Sequence, residues 1–281
     1  MIILYHDRFI ERQEANVDIE DRAYQFGDGI YEVVRVYGGK PFCLQEHLER
    51  FERNASEIRI SLPYSISQLE EHLLQLIKQN QLADGNLYFQ ISRGTSPRNH
   101  AFSDQLQPLI IAYTQTSSRP VKELEYGVGV ISDPDIRWLR CDIKSLNLLG
   151  AVLSKQKAID HQCHEAILVR DGHVTEGSST NIYIVKEGTI WTHPANHLIL
   201  PGITRAITLQ LATQCNIPFN EKPFTLEDLY TADECFLTST TMEICPIVQV
   251  DQKQIGSGMP GPVTKKLQEA FNQEVANQCH S

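Results

Sequence analysis

Apolar residues recur along this chain in two rhythms, and the alternation between them lays out its elements. Positions 44, 48, 51, 55 and 58 fall three and four apart and predict an amphipathic helix, with Arg50 off that stripe. Leu69, Leu73, Leu74 and Ile77 predict a second helix, opened by Ser67 and Glu70 as a capping box. A third is expected from about residue 146 to 161. A fourth opens at Gly202-Ile203-Thr204-Arg205, a short one is capped by Thr225 with Asp228, and Val263, Leu267, Phe271 and Val275 mark a terminal one. Runs rich in β-branched and aromatic residues predict strands at 2–5, 9–10, 30–37, 87–93, 109–114, 128–131, 166–170, 182–185, 234–238 and 247–250, with a further extended stretch at 136–139. Gly38-Gly39 and Asp171-Gly172 are hairpin turn signals. Strands and helices mix in both halves without strict βαβ alternation, so the fold class is α+β. Residues 116–120 (Thr-Ser-Ser-Arg-Pro) read as a linker between a smaller N-terminal domain, 1–115, and a larger C-terminal domain, 121–281, that carries Lys144.

Size and charge narrow the function. A chain of 281 residues has room for two medium domains. With 25 basic against 35 acidic side chains the net charge is -10, which argues against a nucleic-acid or anionic-membrane surface. No apolar run approaches the ~20 residues of a membrane helix. The start, Met-Ile-Ile-Leu-Tyr-His-Asp, reads as a strand rather than a signal peptide. Seven scattered cysteines form no Cys-x-x-Cys pair, so reduced thiols in a cytoplasmic protein are expected. Ten histidines show no metal-ligand spacing, and no metal is expected.

Several residues could carry chemistry. Lys144 sits at an element boundary among Trp138, Leu139, Ile143 and Leu146, where lost hydration makes an amine a usable nucleophile or base. On local pattern alone the favoured reading is a surface lysine paired with Asp142 or an end-of-strand charge. Arg50 is expected on the exposed side of its helix, where Glu46 is an i,i+4 partner. Gly202-Ile203-Thr204 offers free N–H groups at a helix start, which suits a phosphate. Ser239-Thr240-Thr241 follows a strand and offers hydroxyls, although such clusters are usually loops. Glu176, leading into Gly177-Ser178-Ser179, could hold a ring nitrogen protonated or be a solvated turn residue. Trp138 and Trp191 read as core, and Cys141 as packing.

Taken in order, Lys144, Thr175-Glu176-Gly177-Ser178-Ser179-Thr180-Asn181, Gly202-Ile203-Thr204-Arg205 and Thr238-Ser239-Thr240-Thr241 resemble the fold-type IV pyridoxal-phosphate enzymes, the class IV aminotransferase family. Residues 21–34 (Asp-Arg-Ala-Tyr-Gln-Phe-Gly-Asp-Gly-Ile-Tyr-Glu-Val-Val), 93–100 (Arg-Gly-Thr-Ser-Pro-Arg-Asn-His) and 137–150 are similar, within that group, to the D-amino-acid aminotransferases. The resemblance covers nearly the whole chain. It implies two domains with pyridoxal 5'-phosphate between them and Lys144 as the Schiff-base lysine. Arg50, Ile203, Thr204 and Thr240, with Ser239 beside it, would hold the phosphate. Glu176 would pair with the pyridine nitrogen, with Ser179 nearby and Leu200 packed on the ring. Tyr31, Arg98 and His100 would receive the substrate carboxylate and so select the D-isomer.

The implied reaction is ping-pong transamination from a D-amino acid, D-alanine first, to 2-oxoglutarate, giving pyruvate and D-glutamate, in a homodimer. Alternatives are an L-branched-chain aminotransferase or an aminodeoxychorismate lyase on the same scaffold, and a non-catalytic small-molecule binding protein. Asn99, Pro201 and Met242-Glu243-Ile244-Cys245 depart from the relatives' pattern and bear on side-chain preference more than on chemistry.

Overall fold

A computed structural model describes residues 1–279. The chain divides into two compact units, and the division does not follow linear order. The first unit takes Met1–Ser118, Ile143–Asn147 and the C-terminal stretch that begins at Val275; the second takes Arg119–Asp142 and Leu148–Glu274.

The first unit is an antiparallel sheet with two helices packed on it. Its elements are β1 (Ile2–Tyr5), β2 (Arg8–Glu11), α1 (Arg22–Phe26), β3 (Gly29–Tyr37), β4 (Lys40–Pro41), α2 (Leu44–Glu57), α3 (Ile66–Gln79), β5 (Gly85–Ser92) and β6 (Leu109–Thr116). The strand order is β2-β1-β6-β5-β3-β4, and every pairing is antiparallel. Leu44, Leu48, Phe51 and Ala55 of α2 and Leu69, Leu73, Leu76 and Ile77 of α3 are buried against Ile30, Val34, Leu87, Phe89 and Ile91 of the sheet. Each of these side chains but Ala55 contributes about 1.5–3 kcal/mol of transfer free energy. The cap of α3 is Ser65, with Gln68 closing the box, two residues earlier than expected. Leu74, expected on the apolar stripe, is exposed.

Lys144 was expected in the second unit, and contacts put it in the first. The reason is an edge. β4 covers only Val36 and Tyr37 of β3, and the chain returns at Ile143–Asn147 to cover the strand's beginning. Ser145 bridges Ile30, the Tyr31 N–H donates to the Lys144 carbonyl (3.0 Å), and the Leu146 N–H donates to Gly29 (2.9 Å). Ile143 joins the first unit's core. Gly29 permits the approach: a Cβ there would stand 2.4 Å from the Ile91 carbonyl oxygen.

The second unit contains α4 (Val121–Tyr126), β7 (Val128–Pro134), α5 (Leu149–Asp160), β8 (Glu165–Arg170), β9 (His173–Gly177), β10 (Asn181–Lys186), β11 (Thr189–Thr192), α6 (Ile203–Gln214), β12 (Phe219–Glu221), α7 (Leu226–Tyr230), β13 (Glu234–Ser239), β14 (Glu243–Val250), β15 (Lys253–Gln254) and α8 (Pro262–Cys279), whose end is grouped with the first unit. The sheet runs β12-β11-β10-β13-β14-β7-β8-β9, with β15 on β14. It is mixed: β11/β12, β14/β7 and β7/β8 are parallel. Asp171 and Gly172, both with positive φ, close the β8–β9 hairpin as their type predicts.

Residues 136–139 form no strand, and α5 begins at Leu149 instead of 146. Trp138 was expected in the core; it is 41% exposed, while Trp191 is half-buried against the second unit's core.

Candidate active site

In the first unit the candidate residues gather on β3 and α2. Lys144 is half-buried, and its Nζ lies 4.1 Å from the centre of the Tyr31 ring. Asp142, the alternative partner, pairs with Arg140 instead. The next residue on β3, Glu32, points to the opposite face, as strand alternation requires, and is fully buried.

There it meets Arg50. The Arg50 Nε donates to Oε1 at 2.7 Å and Nη2 to Oε2 at 2.8 Å. Arg50 is therefore not on an exposed helix face and does not depend on Glu46; it is 5% exposed and paired across to the sheet. The His47 Nδ1 lies 2.7 Å from Oε2, and because an ionised carboxylate only accepts, that nitrogen carries the hydrogen. Burial alone would raise the Glu32 carboxyl, but Arg50 and then His47 outweigh it and hold it at about 2. Burial pushes the His47 imidazole down, against the pull of Glu32, and Arg50 and Lys144 push the same way as burial. Removing one partner of such a buried pair costs about 3–5 kcal/mol, so Glu32 fixes where the Arg50 guanidinium stands.

The expected carboxylate receptors are only partly brought together. Tyr31 stacks on Tyr88 at 5.8 Å. Arg98 and His100 stand exposed on the β5–β6 loop and share a different ring, Phe26, at 4.9 and 5.4 Å.

In the second unit Glu176, near the end of β9, is buried with its oxygens spoken for. Arg137 Nη1 donates to Oε1; Asn181 Nδ2 and the Leu200 N–H each donate to Oε2 at 3.0 Å. Three of about four lone-pair positions are used, so one further donor fits. Burial pushes the Glu176 carboxyl up to about 7, against Arg137 and the Leu200 N–H. Arg137 is itself clamped by both oxygens of Asp135 (2.9 and 2.8 Å).

Asn181 also donates to the Leu200 carbonyl (3.0 Å), tying the Glu176 hairpin to the segment entering α6. Ser179 is exposed, and its N–H (3.3 Å) and hydroxyl (2.8 Å) go to the buried Glu165. Gly202 precedes α6 with no side-chain cap, and a Cβ there would stand 2.2 Å from Asn181 Oδ1. Ile203 and the buried Thr204 therefore open a 12-residue helix with uncapped donors, where an anion is favoured. Ser239 ends β13; its hydroxyl accepts the Met242 N–H (3.1 Å), and Thr240 is half-buried in the same turn.

Each unit offers part of what a phosphorylated pyridine aldehyde requires: the first an amine and a fixed guanidinium, the second an uncapped helix start and a buried carboxylate able to accept one ring N–H. Glu32, His47, Arg137 and Asn181 hold the candidate residues in place, and sequence reasoning gave them no role. The available signal was charge inside apolar runs, above all Glu32 among Ile30, Val33, Val34 and Val36.

Comparison with known proteins agrees. The chain is 49% identical to a D-alanine aminotransferase of Bacillus licheniformis over 278 residues, 99% of this chain and 98% of that one. Among solved structures it is similar to a branched-chain amino acid aminotransferase of Escherichia coli, with a TM-score of 0.93 and 28% identity over 97% of this chain and 93% of that one. It is similar also to a T.th. branched-chain amino acid aminotransferase solved with pyridoxamine 5'-phosphate, with a TM-score of 0.90 and 25% identity over 99% and 94%. Residues 29–250 match the model of amino-transferase class IV, a span that opens at β3, takes in Lys144 and Glu176, and closes with β14; the chain belongs to that family.

Proposed function

We propose that this protein exchanges an amino group between a D-amino acid, D-alanine first, and a 2-oxo acid, 2-oxoglutarate, with pyridoxal 5'-phosphate as cofactor and pyruvate and D-glutamate as products. The observation that carries the reading is the 49% identity to a D-alanine aminotransferase over nearly the whole chain. The geometry supports it through the amine of Lys144, fastened by its own backbone to β3.

When bound, the cofactor supplies an electron-withdrawing ring that stabilises negative charge at the substrate's Cα. Lys144 would hold its aldehyde, and its Nζ would serve as the base that takes the α-proton. Glu176 would accept the ring N–H, with Leu200 packing on the ring and Ser179 nearby in the turn after β9. Arg50, Ile203, Thr204, Ser239 and Thr240 would hold the phosphate. Arg98 receives the substrate α-carboxylate bidentately, with Tyr31 and His100 as further donors. A base confined to one face takes whichever α-hydrogen points at it, so the side on which the carboxylate is held sets the stereochemistry.

Assaying D-alanine, L-alanine and L-leucine, each with 2-oxoglutarate, tests this. Turnover of D-alanine alone, with parallel lines in double-reciprocal plots against the second substrate, is expected. Turnover of only the L-substrates overturns the reading and points to the branched-chain activity in the names of the similar solved structures.

The working form is a homodimer located in the cytoplasm. All seven cysteines are free thiols, which suits a reducing compartment, and among the described residues no helix is long and apolar enough to cross a membrane. For the dimer the support is exposed apolar surface. Trp138 and Leu139, and Leu149, Val152 and Leu153 on α5, are all more than one-third exposed, and Gly150 of α5 lies against Arg137. Patches of this kind commonly mark interfaces. Sedimentation of wild type should give twice the chain mass and of Trp138→Glu/Leu153→Glu the single mass; a wild-type monomer overturns the assignment.

A further inference from the structure

The β5–β6 loop, residues 93–108, should be loose, because its exposed polar residues bury almost nothing. It is instead tied down by a buried arginine. Arg22, the first residue of α1, is 3% exposed. Its Nε donates to Asp28 Oδ2 at 2.8 Å, its Nη1 to the Asn99 carbonyl at 2.6 Å and its Nη2 to the His100 carbonyl at 3.1 Å. Its own N–H donates to the Gly94 carbonyl at the loop's start (3.0 Å).

Asp28 is shared with Arg93, which reaches it through Nε (2.8 Å) and Nη2 (2.9 Å) and lies 3.6 Å over the Phe102 ring. Arg93 also donates to the carbonyls of Ile58 and Arg59, at and beyond the end of α2. Burial would raise the Asp28 carboxyl, but Arg93 and then Arg22 hold it below its ordinary range, so it stays ionised. The loop is thus tied through Arg22, Asp28 and Arg93 to the helix that carries Arg50.

Buried ion networks are weak sources of stability but good at selecting one arrangement. Here the arrangement selected is that of a backbone, since the Arg22 fork grips two consecutive carbonyls. Those carbonyls belong to His100 and to the residue after Arg98, the two loop side chains assigned to the substrate.

We propose that Arg22 is the positioning residue of the substrate loop, setting where Arg98 and His100 stand and hence the affinity for the substrate α-carboxylate, without part in proton transfer at Lys144. The inference rests on the assignment of Arg98 and His100 to the substrate.

In Arg22→Lys the charge opposite Asp28 is kept, but one ammonium cannot reproduce a planar fork gripping two carbonyls. The holoenzyme of this variant should show KM for D-alanine and for 2-oxoglutarate raised about tenfold, the scale of a lost charge-assisted hydrogen bond, with kcat changed less than about threefold. The triple variant Arg22→Lys/Arg98→Ala/His100→Ala should have a KM no higher than Arg98→Ala/His100→Ala, because Arg22 acts only through those two side chains. Asp28→Asn, which keeps the Arg22 side chain but removes the carboxylate that holds its Nε, should raise KM in the same direction and decides the matter if Arg22→Lys does not fold. A fall in kcat at unchanged KM, or a further rise in KM in the triple variant, overturns the proposal. An Arg98→Ala enzyme with unaltered KM overturns it at its foundation, by showing that the loop does not receive the carboxylate.

Discussion

Replacing Lys144 by alanine is expected to lower the rate of the D-alanine half-reaction by ~10⁴-fold or more, because one side chain serves as both covalent anchor and base. The Tyr31 N–H donates to the Lys144 carbonyl and Ser145 bridges Ile30, so the tether that delivers Nζ starts from a fixed point on β3. Neither contact involves the side chain, so the variant should fold. It should also retain the cofactor, since the phosphate would be held by Arg50 and the start of α6. Single-turnover absorbance with stoichiometric cofactor measures the rate. Borohydride reduction of the wild type followed by peptide mapping should place the label on residue 144. A variant that keeps more than about 1% of wild-type rate, or a label on another lysine, sinks the assignment.

Glu176→Gln is expected to cost ~10²–10³-fold in kcat, the usual scale for one electrostatic stabiliser in a water-excluded site. The pH behaviour gives a second and independent reading. Burial raises the Glu176 carboxyl to about 7. A folded-state value above the ordinary carboxylate value means that stability from this group is fully present below about 4.5 and is lost as pH rises through about 7. In the cofactor-free protein the midpoint of urea unfolding should therefore fall over that window, and the fall should be missing in Glu176→Gln. Binding a ring N–H at Oε1 stabilises the ionised form, so cofactor affinity should strengthen as pH rises through about 7 in wild type only. A variant with wild-type kcat and an unchanged pH profile would show that Glu176 does not meet the ring.

Much of the fold was legible from periodicity. The stripes at 44–55 and 69–77 became α2 and α3, and the Asp171-Gly172 signal closed its hairpin. Other elements escaped for physical reasons. α1 has five residues, too few to display a period, and of β14 only 247–250 was expected, because Pro246 argues against a strand before it.

At the candidate site, resemblance singled out Lys144 and Glu176, while local pattern put Arg50 on the wrong side of its helix. Hydropathy counts arginine as a surface residue; it cannot see that Glu32, 18 positions earlier, waits in the core as a counter-charge. The same blindness hid Arg22, whose partners Asn99 and His100 lie 77 and 78 residues away. Long-range pairing of charges is a property of the folded topology, and one sequence without its fold does not display it.

The excursion of residues 143–147 to the edge of β3 also bears on synthesis and on dissection of the gene. A nascent chain that has emerged only as far as the linker cannot finish its first sheet, because the strip that seals β3 is encoded 25 residues past Ser118. A fragment cut at that linker would bear an open sheet border at Tyr31 and lack the reactive amine altogether, so the two halves cannot be treated as exchangeable modules.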